Sequence, residues 1–218
     1  NKMLAERKNI YEEFKGDKEE LKKQKLPTPA KYKSEYEWLK EVDSLALANA
    51  QLDLQAAYNN FFRDKKIGFP KFKSKNKDRN SYTTNNVNNN IKIEENKVKL
   101  PKVGYVKVKL HRQIPDNQII KGCTMSKTSS GKYYISILVE FESHIQSVKY
   151  REENVLGLDF DMKNLYTDNQ GIRAEYPRFY RRALEKLEKE QHKLSKCVKG
   201  SKNRKKQRLK VAKVHEKV

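Results

Sequence analysis

The sequence is short of the residues that staple small folds together. Its 218 residues include only two cysteines, Cys123 and Cys197, and four histidines. The cysteines stand far apart with no Cys-x-x-Cys partner. They read as free thiols of a reducing compartment, not as a disulfide or a zinc site. The scattered histidines argue against a His/Cys metal centre within this stretch. No apolar run approaches the roughly 18 residues of a membrane span, and Asn1 to Leu4 do not resemble a signal peptide. Apolar residues make up only 36% of the chain, so its core must be thin or spread over small modules. There is no Gly-rich phosphate loop and no Ser/His/Asp arrangement; Ser129-Ser130-Gly131 is a turn. Acid is also in short supply. The 28 Asp and Glu face 49 Lys and Arg, a formal charge of +21. Phosphate backbones are the commonest partner for such an excess.

Periodicity gives the organisation. Residues 3 to 24 read as a helix with Leu4, Ile10, Tyr11, Phe14 and Leu21 on it, ended by Pro27 and Pro29. Residues 35 to 63 read as a long helix. Its apolar face is Leu39, Val42, Ala46, Ala50, Leu54, Ala57 and Phe61. An irregular stretch, 68 to 75, and an Asn-rich exposed loop, 76 to 90, follow. From Ile91 the period is two. Ile91 and Ile93 pair with Val98 and Leu100 across a hairpin. Val106, Val108 and Leu110 alternate with Lys107 and Lys109, giving one apolar and one basic face. Residues 119 to 126 and 132 to 141 make a second hairpin, and these short antiparallel strands predict a small barrel. Residues 148 to 153 read as a charged linker. Val155 to Phe160 reads as a short buried strand carrying Asp159, followed by a hairpin about Asn169-Gln170-Gly171. Pro177 opens a helix bearing Leu184, Leu187, Gln191 and Leu194. Gly200 ends it, and Ser201 caps a last, basic helix.

Three features carry candidate chemistry. A buried Asp159 is costly unless something offsets it. A divalent cation would do so, and carboxylates at strand ends hold the metals of phosphodiester-cleaving enzymes. The competing reading is an Asp that caps the turn at Met162 and Lys163. Asp161, two residues on, shares its face. In the last helix Lys202, Lys206, Lys210, Lys213 and Lys217 form one stripe at i+3 and i+4 spacing. The stripe is either a phosphate-contacting surface or a solvated face. Leu209 and Val214 lie off it, free to pack on Leu187 and Leu194. Lys71, Lys73 and Lys75 interleave with Phe69 and Phe72, where aromatics stack on bases or, as the spacing favours, anchor the loop. Lys107 and Lys109 are a weaker signal of the same kind.

The order of these pieces resembles the TnpB (OrfB) family of transposon-encoded proteins, relatives of the small type V CRISPR nucleases. The resemblance rests on Asn60-Phe61-Phe62, Gly68 to Lys75, Leu100 to Val108, and Ser130 to Tyr134 with Ile137 to Glu140. It continues through Gly157-Leu158-Asp159 with Lys163-Asn164-Leu165, Pro177-Arg178-Phe179, Leu194-Ser195, Lys199 to Lys206 and Val211 to Lys217. It implies an α+β protein: a small antiparallel wedge β-barrel with an inserted helical recognition module, then the start of an RNase H-like RuvC α/β nuclease domain. The corresponding boundaries are 1–75 for the recognition module, 76–150 for the wedge and 151–218 for the first part of RuvC. The implied activity is an RNA-guided, metal-dependent DNA endonuclease using three acids and Mg²⁺. Asp159 is then the first acid and a metal ligand. The remaining Glu and Asp, and a zinc-binding Cys cluster, lie beyond Val218. The chain thus reads as a piece cut at both ends and inactive alone. The implied partners are a guide RNA and target double-stranded DNA, with the protein a monomer on its guide in a prokaryotic cytoplasm, at the nucleoid. Leu45, Asn49, Tyr82 and Thr83 face the target-adjacent duplex. Leu45 stands where the family has a polar residue, and Asp161 where it usually has Gly. The rival readings are a nuclease-inactive RNA-guided repressor and a generic basic RNA-binding protein.

Overall fold

The computed structural model describes residues 1–74, 80–142, 151, 155–176 and 179–217. It divides into two compact units. One is Asn1–Thr128 with Tyr133–Glu142, the other Ser129–Lys132 with Ser143–Val218.

The first unit is α+β. Its helices are α1 (Lys2–Phe14), α2 (Lys18–Lys23) and α3 (Ser44–Arg63). The single helix expected over 3 to 24 is therefore two. The break falls at Lys15-Gly16-Asp17, because the Asp17 side chain accepts hydrogen bonds from Glu19 N and Glu20 N and starts a new helix. The helix expected from 35 begins only at Ser44 for the same reason. Asp43 accepts from Leu45 N and Ala46 N, and residues 37–40 form a separate short 3-10 turn.

Six strands follow: β1 (Asn80–Asn85), β2 (Lys92–Glu94), β3 (Lys97–Leu100), β4 (Gly104–Lys107), β5 (Ile119–Lys127) and β6 (Tyr133–Glu140). They form two open antiparallel sheets, ordered β1-β5-β6 and β2-β3-β4. Among the described residues no strand of one sheet pairs with a strand of the other. The sheets share a core of Ile91, Val98, Leu100 and Cys123, edged by Ile93, Val106, Ile120, Met125, Ile135 and Ile137. Burial pushes the Cys123 thiol up to about 11, which leaves it an inert core residue.

The expected hairpins are present, with Ile93 opposite Val98 and Met125 opposite Ile135. Val106, Val108 and Leu110 are half-buried while Lys107 and Lys109 are exposed. The Asn-rich stretch is not wholly a loop. Asn80 to Asn85 pair along β5, and Thr84 is 1% exposed. Polar side chains hid this strand from a hydrophobic pattern. It is stabilised instead by its ladder and by the cross-strand Thr83–Thr124 hydroxyl hydrogen bond of 2.8 Å.

In the second unit β7 (Leu158–Asp159), β8 (Asn164–Asp168) and β9 (Arg173–Glu175) make an antiparallel meander. The helices α4 (Phe179–Lys196) and α5 (Lys202–Lys217) pair as a hairpin. The strand around Asp159 is not buried. Leu156 is 62% and Phe160 70% exposed, because β7 is two residues long and has β8 alone as its ladder partner among the described residues. The turn before α5 is as expected: Gly200 has φ +85°, and Arg204 N donates to Ser201 Oγ at 3.1 Å. Pro177, Lys75 and most of the 148–153 linker lie outside the described residues. No helix among the described residues is long and apolar enough to cross a membrane.

Gly122 is the point where β1 meets β5. A Cβ there would sit 2.7 Å from Thr84 O, beside the bulge between Ile120 and Gly122. Gly122→Ala should destabilise this unit by about 1–3 kcal/mol, since backbone must move to admit it. Gly16→Ala, whose Cβ would meet nothing within 4 Å, should not. Urea melts of the two variants check the contrast, and equal midpoints would refute it.

Candidate nucleic-acid interface and acidic strand end

The N-terminus of α3 is fastened to β1 by three polar side chains. Asp43 caps the helix through Leu45 N (3.3 Å) and Ala46 N (3.2 Å), and its second oxygen also accepts from the buried Thr84 hydroxyl. Asn49, on the next turn, donates its amide to Thr83 O (3.1 Å) and Asn85 Oδ1 (3.3 Å). Both Asn49 hydrogens are thus committed within the fold. Its amide oxygen has no partner among the described residues. Leu45, Asn49, Tyr82 and Thr83 are thereby brought to one junction, with Leu45 half-buried and Tyr82 and Thr83 exposed. Burial raises the Tyr82 phenol, so it stays a neutral donor. The sequence reading overlooked Asp43 and Thr84, although an Asp directly before an apolar periodic run signals a helix start.

At the strand end the two acids separate cleanly in role. The Asp161 carboxylate accepts from Lys163 N, from Asn164 N at 2.8 Å and from Asn164 Nδ2 at 3.2 Å. Asp168 closes the next turn by accepting from Gln170 N (2.9 Å) and Ile172 N (2.8 Å). Asp159, opposite Thr167 in the ladder, makes no side-chain hydrogen bond or ion pair among the described residues and is exposed. The turn-capping role open to Asp159 is therefore filled by Asp161. The desolvation argument for Asp159 fails, because its strand is exposed. Among the described residues no three His, Cys, Asp or Glu groups converge as a metal site would require. Asp159 can supply one hard oxygen ligand of such a site.

The helical hairpin presents cations on a compact support. Leu187, Val211 and Val214 are buried together with Leu194 against them. Leu209, expected in this contact, is 39% exposed; Val211 lies on the inner face instead. Gln207 is buried and donates to Glu190 O (3.0 Å) and Glu190 Oε2 (2.6 Å). Arg204 donates to Leu194 O and Cys197 O, both at 3.0 Å, capping the C-terminus of α4. Lys202, Lys206, Lys210, Lys213 and Lys217 are all exposed and make no salt bridge among the described residues. In the first unit Lys71, Lys73, Lys107 and Lys109 are likewise exposed. Phe69 packs edge-on against Tyr58 and Phe61, which is the anchoring reading of that loop.

Residues 136–218 match the sequence model of the OrfB_IS605 family, described as a probable transposase. Over 182 residues the chain is 32% identical to the protein of Escherichia coli (strain K12) named "Putative RNA-guided DNA endonuclease InsQ", covering 84% of this chain and 43% of that protein. Over 194 residues it is 31% identical to a "Putative RNA-guided DNA endonuclease" of Streptomyces pristinaespiralis, covering 88% and 46% respectively. The chain spans less than half the length of these relatives.

The Asp161 cap makes a pH prediction. Hydrogen bonds from the backbone N–H of Asn164, then of Lys163, hold its carboxyl below the ordinary 3.8. A depressed carboxyl stabilises the fold above its unfolded pKa, and the contribution is lost as pH falls through the folded pKa. The Lys163 and Asn164 amide resonances should titrate together below pH 3.8. In Asp161→Asn that titration should vanish. A midpoint at or above the ordinary value would refute the cap.

Proposed function

Because the chain belongs to the TnpB (OrfB) family of transposon-associated proteins, we propose that it contributes nucleic-acid binding and the first catalytic acid to an RNA-guided, metal-dependent DNA endonuclease. The observation that carries this reading is the exposed Asp159 carboxylate at the end of β7, without a side-chain partner among the described residues, while Asp161 and Asp168 hold the turns beside it. The Asp161 carboxylate is held in its turn by backbone and side-chain donors. It orders the β7–β8 turn next to Asp159, and a non-cleaving repressor is told from a nuclease by whether the rest of the protein holds the remaining Glu and Asp. A hard Mg²⁺ ion fits a free carboxylate. When bound, such an ion stabilises charge on the transferring phosphate and activates the attacking water. One carboxylate does not complete the site. The family resemblance calls for a further Glu and Asp to complete it.

The remaining residues bind and orient. The α5 stripe, with Lys71, Lys73, Lys107 and Lys109, holds guide and target phosphates, contacts that set affinity without reading sequence. At the α3–β1 junction the free Asn49 oxygen accepts from an exocyclic base amino group, and Leu45 offers an apolar contact of the kind a thymine methyl makes. Tyr82 and Thr83 border the same edge. The partners are a guide RNA and a target DNA duplex.

In the complete protein, loaded with guide RNA and supplied with Mg²⁺, Asp159→Ala should lower cleavage by about 10³-fold or more and leave target binding unchanged, since it removes charge stabilisation at the phosphate and no remote backbone contact. Gel shift and cleavage measured on one preparation decide it. Binding lost in step with cutting would make Asp159 structural.

The stripe is tested by salt. Each phosphate neutralised adds about 0.9 to the log–log slope on duplex, less on single strands. Changing Lys206, Lys210 and Lys213 together to Gln should flatten the slope by roughly two to three units. An unaltered slope would return α5 to a solvated face.

A further inference from the structure

We propose that the aromatic cluster joining the end of α3 to the 68–74 segment is a stacking platform for unpaired nucleotides, with Phe62 and Phe72 taking the bases. The proposal rests on the chain being a nucleic-acid binder and not on its cutting DNA.

The rings of this cluster divide into a support and a presented face. Phe69 is the support. Its ring meets Tyr58 at 5.4 Å and Phe61 at 5.3 Å, both edge-on. Phe62, one helical turn after Tyr58, stacks on it at 6.2 Å and leans on Phe61 at 5.4 Å. Lys8 Nζ bridges the cluster onward, lying 5.1 Å from the Phe69 centroid and 4.8 Å from that of Phe72. Asn1 fixes the segment to the start of α1. Its amide donates to Lys73 O at 2.7 Å, and Lys73 N donates back to its oxygen at 2.9 Å. The rings are thus held from behind, yet Phe62 remains 71% and Phe72 51% exposed.

The surrounding charge selects the ligand. Arg7 is 8% exposed and stacks over Tyr58 at 5.2 Å, with Gln55 Oε1 as its hydrogen-bond acceptor and no carboxylate paired to it among the described residues. It is a buried cation directly behind the rings. Lys65, Lys66, Lys71 and Lys73 flank them, exposed and without ion pairs among the described residues. An apolar protein partner would have to desolvate these ammonium groups without return. A single strand meets both needs, because its phosphates reach the lysines while its bases cover the phenyl faces. The interior of a duplex cannot use the platform, since its base faces are already stacked, and a duplex closed by hairpin loops at both ends removes the open end faces.

The test compares a labelled oligouridylate of about ten nucleotides with such a closed duplex of equal length, each titrated with the chain across a salt series. Phe62→Ala with Phe72→Ala should weaken single-strand binding by about ten-fold or more. Duplex affinity and both salt slopes should stay unchanged, because no charge is removed. The Phe62→Trp, Phe72→Trp pair should retain single-strand binding. Both rings are largely exposed, so a thermal melt should match the parent. Unchanged single-strand affinity, or an equal fall on both probes, overturns the proposal. Failure of the parent chain to bind either probe would overturn the nucleic-acid reading itself, whereas binding that the Phe variants leave unchanged overturns the platform alone.

Discussion

Carboxylate is the limiting group in this protein, and its placement shapes much of the rest. With 28 acids against 49 basic residues, the lysines cannot all be neutralised internally. Several of the acids present serve the backbone first. Asp17 and Asp43 start helices, Asp64 accepts from Lys66 N at a short turn, and Asp161 and Asp168 close the turns of the β7–β9 meander. Each satisfies N–H groups that would otherwise be orphaned at a helix start or a turn. Ion pairs that do form among the described residues are mostly local and exposed, such as Lys15–Glu12 and Lys23–Glu20, and contribute little to stability. The positive surface follows from this allocation. It also sets Asp159 apart, as an acid of the same meander with no side-chain partner among the described residues.

The second consequence is how lightly apolar burial contributes. The shared core of the two sheets is small, and the α4–α5 hairpin closes on Leu187, Val211 and Val214. Polar side chains supply much of the remaining joinery. Gln207 ties α5 to Glu190, Arg204 ends α4, and Asp43 with Asn49 locks α3 onto β1. These contacts are directional, so they fix register where a thin core cannot. They also commit hydrogens that base recognition would otherwise use, as at Asn49.

What was legible in the sequence follows the same division. Hairpins with alternating apolar residues, such as Ile93 opposite Val98, were visible because burial drives them. So were the Gly200–Ser201 break and the lysine stripe. Strand β1 was not, since Asn80 to Asn85 show almost no apolar alternation and are held by pairing with β5. The helix starts at Asp17 and Asp43 were missed for a related reason. A periodic pattern reports the face of a helix, whereas a single cap residue decides where it begins. At the candidate site the local reading of Asp159 as a buried strand acid was wrong about burial. The exposed Leu156, Leu158 and Phe160 show that an apolar run predicts burial only where a second layer covers it. The local pattern singled out Asp159, the family resemblance supplies its proposed role, and the hydrogen bonds of Asp161 separate the two neighbouring acids, which spacing alone left on one face.

The cationic surfaces and the aromatic cluster answer different halves of one recognition problem. Exposed lysines on α5 and on the basic strand face attract any phosphate backbone, and their strength falls with salt in proportion to the phosphates engaged. By charge alone they favour the denser phosphates of a duplex and give a single strand no preference. Phenyl faces give it one, because only unpaired bases offer a π-surface. Phe62 and Phe72 sit beside lysines with Arg7 behind, so both terms act on one short segment. Under the proposed function, surfaces of both kinds would be needed to rank these states. On the proposed platform that ranking would come from rings held by Phe69, Tyr58 and Lys8, and not from the size of the net charge.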